Sequence, residues 1–330
     1  MRPTTIYVGT IGQGVWVSHD LGETFHRSSA GMFMEAEVRA LAVAPDNPLC
    51  LYAGTDAGLY RTEDGGAHWQ ALPTPFNNGT GWQAGTLIWS LLVHPQDSKR
   101  LYVGLCPPAV YASEDRGETW QKLDIPLTPE CPPILYSRVT TLLADPADAE
   151  TLWVGVEIDG LWCSRDRGVH WERRSEGLSS QDVHGFAIVP GAPRTLLVTT
   201  NNDLNVSHDE GMTWEPQQVT KQFPHGYCRG IQAKSNDSRT LFLGNGNGPP
   251  GTTGALQISQ NGGVTWRQAN LSPTPNSTIW TFGTSRQNPE LLFALSVNGY
   301  LYRSEDGGRG WVKCRHEFGE ARSIVFIEGA

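Results

Sequence analysis

Cationic, aromatic and imidazole side chains recur at one position ahead of a repeated turn. Six residues before Pro45, Pro95, Pro146 and Pro190 stand Arg39, Trp89, Thr140 and His184, and the equivalent places further along hold Arg229, Trp280 and Arg322. Two residues earlier, on the same side of an extended chain, come Glu37, Leu87, Arg138, Asp182, Tyr227, Thr278 and Glu320. A core-facing column would hold Val, Leu and Ala instead. Arginines that converge in a concave site grip a carboxylate or phosphate through paired N–H groups. Trp89 and Trp280 offer flat stacking surfaces, and His184 brings a group suited to proton transfer. As a cluster, Arg39, Arg138, Arg229, Arg322, Trp89, Trp280 and Glu37 read as a binding site for a small anionic molecule or acidic sugar.

A structural account stands beside this one. Glu37, Asp182 and Glu320 can pair with Arg39, Arg229 and Arg322 and tie neighbouring segments together, while the tryptophans plug a channel. A metal held by His184, His225 and Cys228 has no diagnostic spacing behind it, and such histidines more often serve hydrogen bonding. The glycine-rich run from Gly244 to Gly251 reads as a flap, not a phosphate loop, because no helix follows it. No metal and no cofactor is therefore expected.

The elements that must position these residues are legible in composition. The chain has 330 residues, with 37 Gly, 12 Trp and only four Met. Many glycines with many aromatics favour short strands and tight turns over helices. A net charge of −9 disfavours sequence-blind binding to nucleic acid, which needs a basic surface. No apolar run reaches the length of about 18 residues that spans a membrane. The first residues carry no basic segment followed by an apolar one, and the six cysteines show no CxxC spacing. Reduced thiols and a cytoplasmic location are the expectation.

One octet recurs in register. Ser113-Glu114-Asp115-Arg116-Gly117-Glu118-Thr119-Trp120 has counterparts that begin at Ser18, Thr62, Ser164, Ser207, Ser259 and Ser304. Its third residue is Asp or Asn at 20, 64, 115, 166, 209, 261 and 306. The octet suits a hairpin turn: Ser/Thr and Asp/Asn bond nearby amides, Gly supplies a positive φ, and the aromatic opens the next strand. Alternating runs on either side make four short strands per unit, A to D. The pattern S/T-x-D-x-G-x-x-W resembles the Asp-box, or BNR, repeat of sialidase-like β-propellers. The expectation is all-β, with residues 1–330 forming a single seven-bladed β-propeller of four-stranded antiparallel blades. The last strand, near 322–327, should join the N-terminal blade at 6–9 and close the ring. The octets then lie on the underside as scaffolding. The arginine column lies at the upper mouth of the channel, among irregular loops of the kind that carry function.

The resemblance carries three implications. Sialidases hold a substrate carboxylate with three arginines and use a Tyr with a Glu as nucleophile plus an Asp acid, which would map onto Arg39, Arg229 and Arg322 with Tyr227 or Tyr136. Their propellers have six blades and an Arg-Ile-Pro motif that this sequence lacks, so the catalytic roles are not carried over. Xyloglucanase-type enzymes carry such boxes in seven-bladed units and pair two propellers around a cleft, whereas this chain supplies one. The photosystem II assembly factor family is similar in blade number and boxes, shows an arginine-rich patch, and binds protein partners, which here would dock on the top face. A glycosidase of any kind needs two carboxyls about 5–10 Å apart, and Asp159 with Asp182 is the pair the sequence offers. The candidate catalytic residues are thus His184, Asp182, Asp159 and Tyr227. Fold alone does not choose between enzyme, binder and platform.

Overall fold

The computed structural model describes residues 4–76, 86–131 and 135–327. Seven antiparallel sheets of four strands follow one another along the chain, with one extra two-stranded hairpin, Glu130–Cys131 with Leu135–Tyr136. Neighbouring inner strands touch all the way round, so the sheets close into a seven-bladed β-propeller. The inner strands are Ala321–Ile327, Ala40–Ala44, Leu87–Val93, Val139–Ala144, Val183–Val189, Tyr227–Lys234 and Ile279–Thr284. Among the described residues the one helical element is a single 3-10 turn, Val219–Lys221, and no helix is long and apolar enough to cross a membrane.

Ring closure follows the expected pairing. Thr5–Thr10 pairs antiparallel with Ala321–Ile327, Ile6 opposite Phe326 and Val8 opposite Ile324. The first blade thus takes its inner strand from the end of the chain and its three others from the start.

Each blade buries one face against the next. Tyr102, Val110 and Leu123 of the third blade pack with Leu142, Val154 and Trp162 of the fourth, and similar clusters lie between other blades. Close approach is enforced by glycine where the inner ends meet. A Cβ on Gly104 would lie 2.3 Å from Ser90 Oγ and 2.4 Å from Val139 Cγ1, so only hydrogen fits there.

The octets form the C-to-D turns by the bonds their residue types allow. In the third blade the Ser113 hydroxyl donates to Asp115 Oδ1 (2.8 Å) and accepts from Gly117 N (2.8 Å), while Asp115 accepts from Thr119 N (2.8 Å) and Thr119 Oγ1 (2.5 Å). Gly117 sits at φ +90°. In the sixth blade Asn261 does the work of Asp. It accepts from Thr265 N and Ser259 Oγ, and its Nδ2 donates to Thr265 Oγ1.

These bonds favour the charged carboxylate. The side-chain and backbone hydrogen bonds from Thr24 hold Asp20 down at about 2, and those from Thr213 do the same for Asp209. A depressed folded-state value means the unfolded chain binds more protons in acid. The contribution is complete above the ordinary carboxylate value of about 4 and disappears as pH falls toward 2. Asp209→Ala should cost roughly 1–3 kcal/mol through lost turn bonds. Asp209→Asn should cost much less at pH 7, because Asn261 shows that the amide keeps the turn. Its small deficit should vanish in denaturant melts at pH 2; a deficit that persists there would mean that charge is not its source.

Candidate functional site

The mouth of the channel is built by a backbone irregularity repeated around the ring. The inner strand pairs in step with its neighbour until one residue is skipped. The skip falls on Trp89, Thr140, His184 and Trp280, on Arg229 with Gly230, and on Arg322 in the closing strand. Arg39 stands just ahead of its strand, its N–H bonded to Gly54 O at 3.0 Å. A bulge leaves one residue out of the ladder and turns its side chain. All seven residues of the column line a cavity of about 350 Å³, with Leu41, Leu91, Leu142 and Ile231 deeper in the channel.

Charge pairing inside the mouth is uneven. Arg39 bonds Glu37 Oε2 at 2.5 Å, and the Glu37 amide in turn donates to Asp56. Arg322 Nε bonds Glu320 Oε1 at 2.6 Å, and Arg138 Nε lies 3.2 Å from Glu157 Oε2. The protein-carboxylate account therefore describes three of the four arginines, with Glu157 as an additional partner. Arg229 differs. It is 5% exposed, its Nη1 donates to Tyr227 Oη at 3.4 Å, and its guanidinium lies 3.9 Å from the Trp280 ring centre. No described carboxylate forms an ion pair with it; Asp182, the partner expected from the sequence, faces His184 instead.

The tryptophans are not the free stacking walls that their types suggest. Arg39 and Arg138 lie over Trp89 at 4.6 and 4.4 Å, and Arg322 and Arg229 over Trp280 at 4.2 and 3.9 Å. The rings spread several cations that would otherwise repel one another. Desolvation, reinforced by Arg39 and Arg229, pulls Arg322 down to about 10.

His184 is almost wholly enclosed, with 1% of its side chain exposed. Nδ1 is 2.8 Å from Cys228 O, and Nε2 is 3.2 Å from Asp182 Oδ1. Tyr227 packs against the imidazole, ring centres 4.9 Å apart. Burial, aided by Arg229, lowers His184 and so favours the neutral ring. Burial also opposes charge on Asp182, but the His184 contact, Arg229 and Arg138 outweigh it and hold that carboxyl below its usual range. Burial pushes Glu157 up, and Asp182 adds to that. Tyr227 is raised by burial.

The expected carboxyl pair needs correction. Asp159 does not meet Asp182: its carboxylate accepts Thr128 N at 2.9 Å and pairs with Arg173 at 3.3 Å. The second carboxyl of the mouth is Glu157, two residues earlier on the same turn. Its amide donates to Arg138 O, a cross-strand register that follows once Val139 is placed opposite Val156. His184, His225 and Cys228, whose spacing offered no reason to bring them together around a metal, do not converge as a side-chain cluster: Cys228 contributes its carbonyl to His184, and the His225 carbonyl accepts from Asn245. The group whose ligand atoms lie within 4.8 Å of one another is Glu157, Asp182 and His184.

Fold and mouth together define a seven-bladed β-propeller with a charged channel entrance. A xyloglucanase of Acetivibrio thermocellus is 28% identical over 309 residues, covering 79% of this chain and 36% of that protein. A xyloglucanase of Hypocrea jecorina is 27% identical with the same coverage. This chain thus spans about a third of the length of the curated relatives it matches. Among solved structures, a GH74 xyloglucanase from Xanthomonas campestris superposes with a TM-score of 0.64 at 23% identity, covering 94% of this chain and 47% of that one. YCF48 bound to D1 peptide superposes with a TM-score of 0.66 at 17% identity, covering 92% of this chain and 90% of that one. No family model matches the chain.

Proposed function

We propose that this propeller is a carbohydrate-active protein of the glycoside-hydrolase kind that seats an acidic saccharide over the channel mouth. The observation that carries the reading is the approach of two carboxyl groups from adjacent blades: Glu157 and Asp182 present oxygens within 4.8 Å of each other and of His184, which lines the arginine-rich mouth. That lies close to the short carboxyl spacing, about 5–5.5 Å, of retaining glycosidases. The curated relatives being xyloglucanases supports the same class. Glu157, which burial favours in its protonated form, gives a proton to the departing glycosidic oxygen. Asp182, ionised, faces the anomeric carbon. Arg229, the mouth cation without an ion-pair partner among the described residues, takes the acidic group of the sugar.

Incubation with neutral xyloglucan oligosaccharides and with uronic-acid oligosaccharides tests this through release of reducing ends. Turnover should favour the acidic set, and Glu157→Gln should lower it by at least a hundredfold while binding survives. Absence of turnover across the panel would sink the hydrolytic reading, and absence of binding as well would sink the saccharide site. A second reading rests on the similarity to YCF48, whose solved structure holds a peptide and which is matched over nearly its whole length. On that reading the mouth binds a peptide carboxylate without turnover.

A further inference from the structure

We infer that His184, Asp182 and Glu157 form a binding site for a single divalent transition-metal ion such as Zn²⁺. The argument starts from a tautomer. A backbone carbonyl only accepts, so the 2.8 Å contact to Cys228 O places a proton on His184 Nδ1. In the neutral ring Nε2 then carries a lone pair. That lone pair faces Asp182 Oδ1, another acceptor, at 3.2 Å. Asp182 Oδ1 and Glu157 Oε2 are both buried and receive no hydrogen bond. That contact is held either by a proton, as in an Asp182–His184 ion pair, or by a metal ion that displaces the proton, and Glu157, the second carboxylate without a hydrogen bond on that oxygen, completes a three-ligand set for the metal.

The spacing suits a metal. With bonds of about 2.0–2.1 Å, two ligands on a tetrahedral ion stand about 3.3 Å apart, against 3.2 Å for Nε2 and Oδ1. One imidazole and two carboxylates form a ligand set of the zinc type. The Nδ1–H bond to a carbonyl is the outer contact that orients metal-binding histidines. Glu157 completes the set by turning away from Arg138 Nε, now 3.2 Å away. Arg138 and Arg229 oppose the ion electrostatically, which limits affinity without removing the site.

Binding does not depend on the hydrolytic reading, but one consequence does. The ion would occupy both carboxyl groups assigned to proton transfer and bond-breaking, so Zn²⁺ should inhibit any turnover.

The test uses the intact chain and ZnCl₂. His19 and His26, whose rings stand 5.3 Å apart near the surface, are first replaced by alanine so that a surface ion is not counted. Calorimetry should then show one site, and Asp182→Asn with Glu157→Gln should weaken it at least thirtyfold. Nitrogen NMR should show Zn²⁺ moving the Nε2 resonance of His184 and leaving Nδ1 protonated. These variants keep side-chain size, and their melts report whether the fold survives. Binding that persists in the double variant, an unmoved Nε2 resonance at saturating Zn²⁺, or a His184 doubly protonated at neutral pH would each overturn the site. Zn²⁺ binding without any saccharide turnover would instead sink the hydrolytic reading alone.

Discussion

Removing residues 321–327 should abolish the cooperative fold. These residues supply the inner strand of the first blade, and their loss strips from Thr5–Thr10 one of its two ladders, leaving only the pairing with Gly14–Ser18. Ile324 and Ile327 are each 6% exposed, and Phe326 packs on Phe293 with ring centres 5.6 Å apart. Full burial of such a side chain contributes about 1.5–3 kcal/mol. The two isoleucines, with the half-buried Phe326, reach the lower end of a typical domain's stability of about 5–15 kcal/mol. The loss would also leave the inner edge of Thr5–Thr10 unpaired, which invites aggregation. Calorimetric melts of the truncated chain should show no cooperative transition, and a peptide spanning 319–330 should restore part of it. Gly9→Val gives a milder version. A Cβ at that position would stand 2.3 Å from Ser323 Oγ and 2.9 Å from Val38 O, so the closing strand must shift. A truncated chain that melts like the wild type would refute closure by this strand.

Arg229→Ala should remove binding of an acidic saccharide while the melting temperature holds or rises. The guanidinium is buried, stacked on Trp280 and without an ion-pair partner among the described residues, so the free protein bears its desolvation without a matching ion pair. A substrate carboxylate would supply the missing charge. Arg39→Ala is the contrast. It leaves Glu37 unpaired in a partly buried position, with 21% of its side chain exposed. Part of the about 3–5 kcal/mol cost of breaking a buried pair should then appear as lost stability. Melts and calorimetric titrations with glucuronate-bearing and neutral oligosaccharides check both changes. If Arg229→Ala lowers stability as Arg39→Ala does and no acidic ligand shifts the wild-type melt, Arg229 is a structural cation and the acidic-saccharide site is refuted.

Much of this architecture is written locally. Seven octets at near-regular spacing set the blade count, because each Asp or Asn, Gly and aromatic makes its turn from bonds within a few residues. The A-to-D alternation sets which segments pair, and the strand-like ends predict closure. The column of Arg39, Trp89, Thr140, His184, Arg229, Trp280 and Arg322 is equally legible, since a common register on seven inner strands must converge on one axis.

The partners within that mouth are not local, and there the sequence stops short. Whether Asp182 meets His184 or Arg229, which lies 47 residues further on in the next blade, depends on how the two blades pack and on bulges that turn each column residue out of its ladder. No composition signal marks a bulge. Asp159 attracts notice as a turn carboxylate, yet the fold commits it to Thr128 and Arg173 and brings Glu157 to the channel. An arginine's type does not reveal whether a carboxylate waits opposite it. Periodic turn chemistry alone determined the ring and the axis. Which charges are paired, which carboxyl is desolvated and which lone pairs face each other was decided by contacts between blades, because desolvation and ion pairing depend on distances that exist only once the ring has closed.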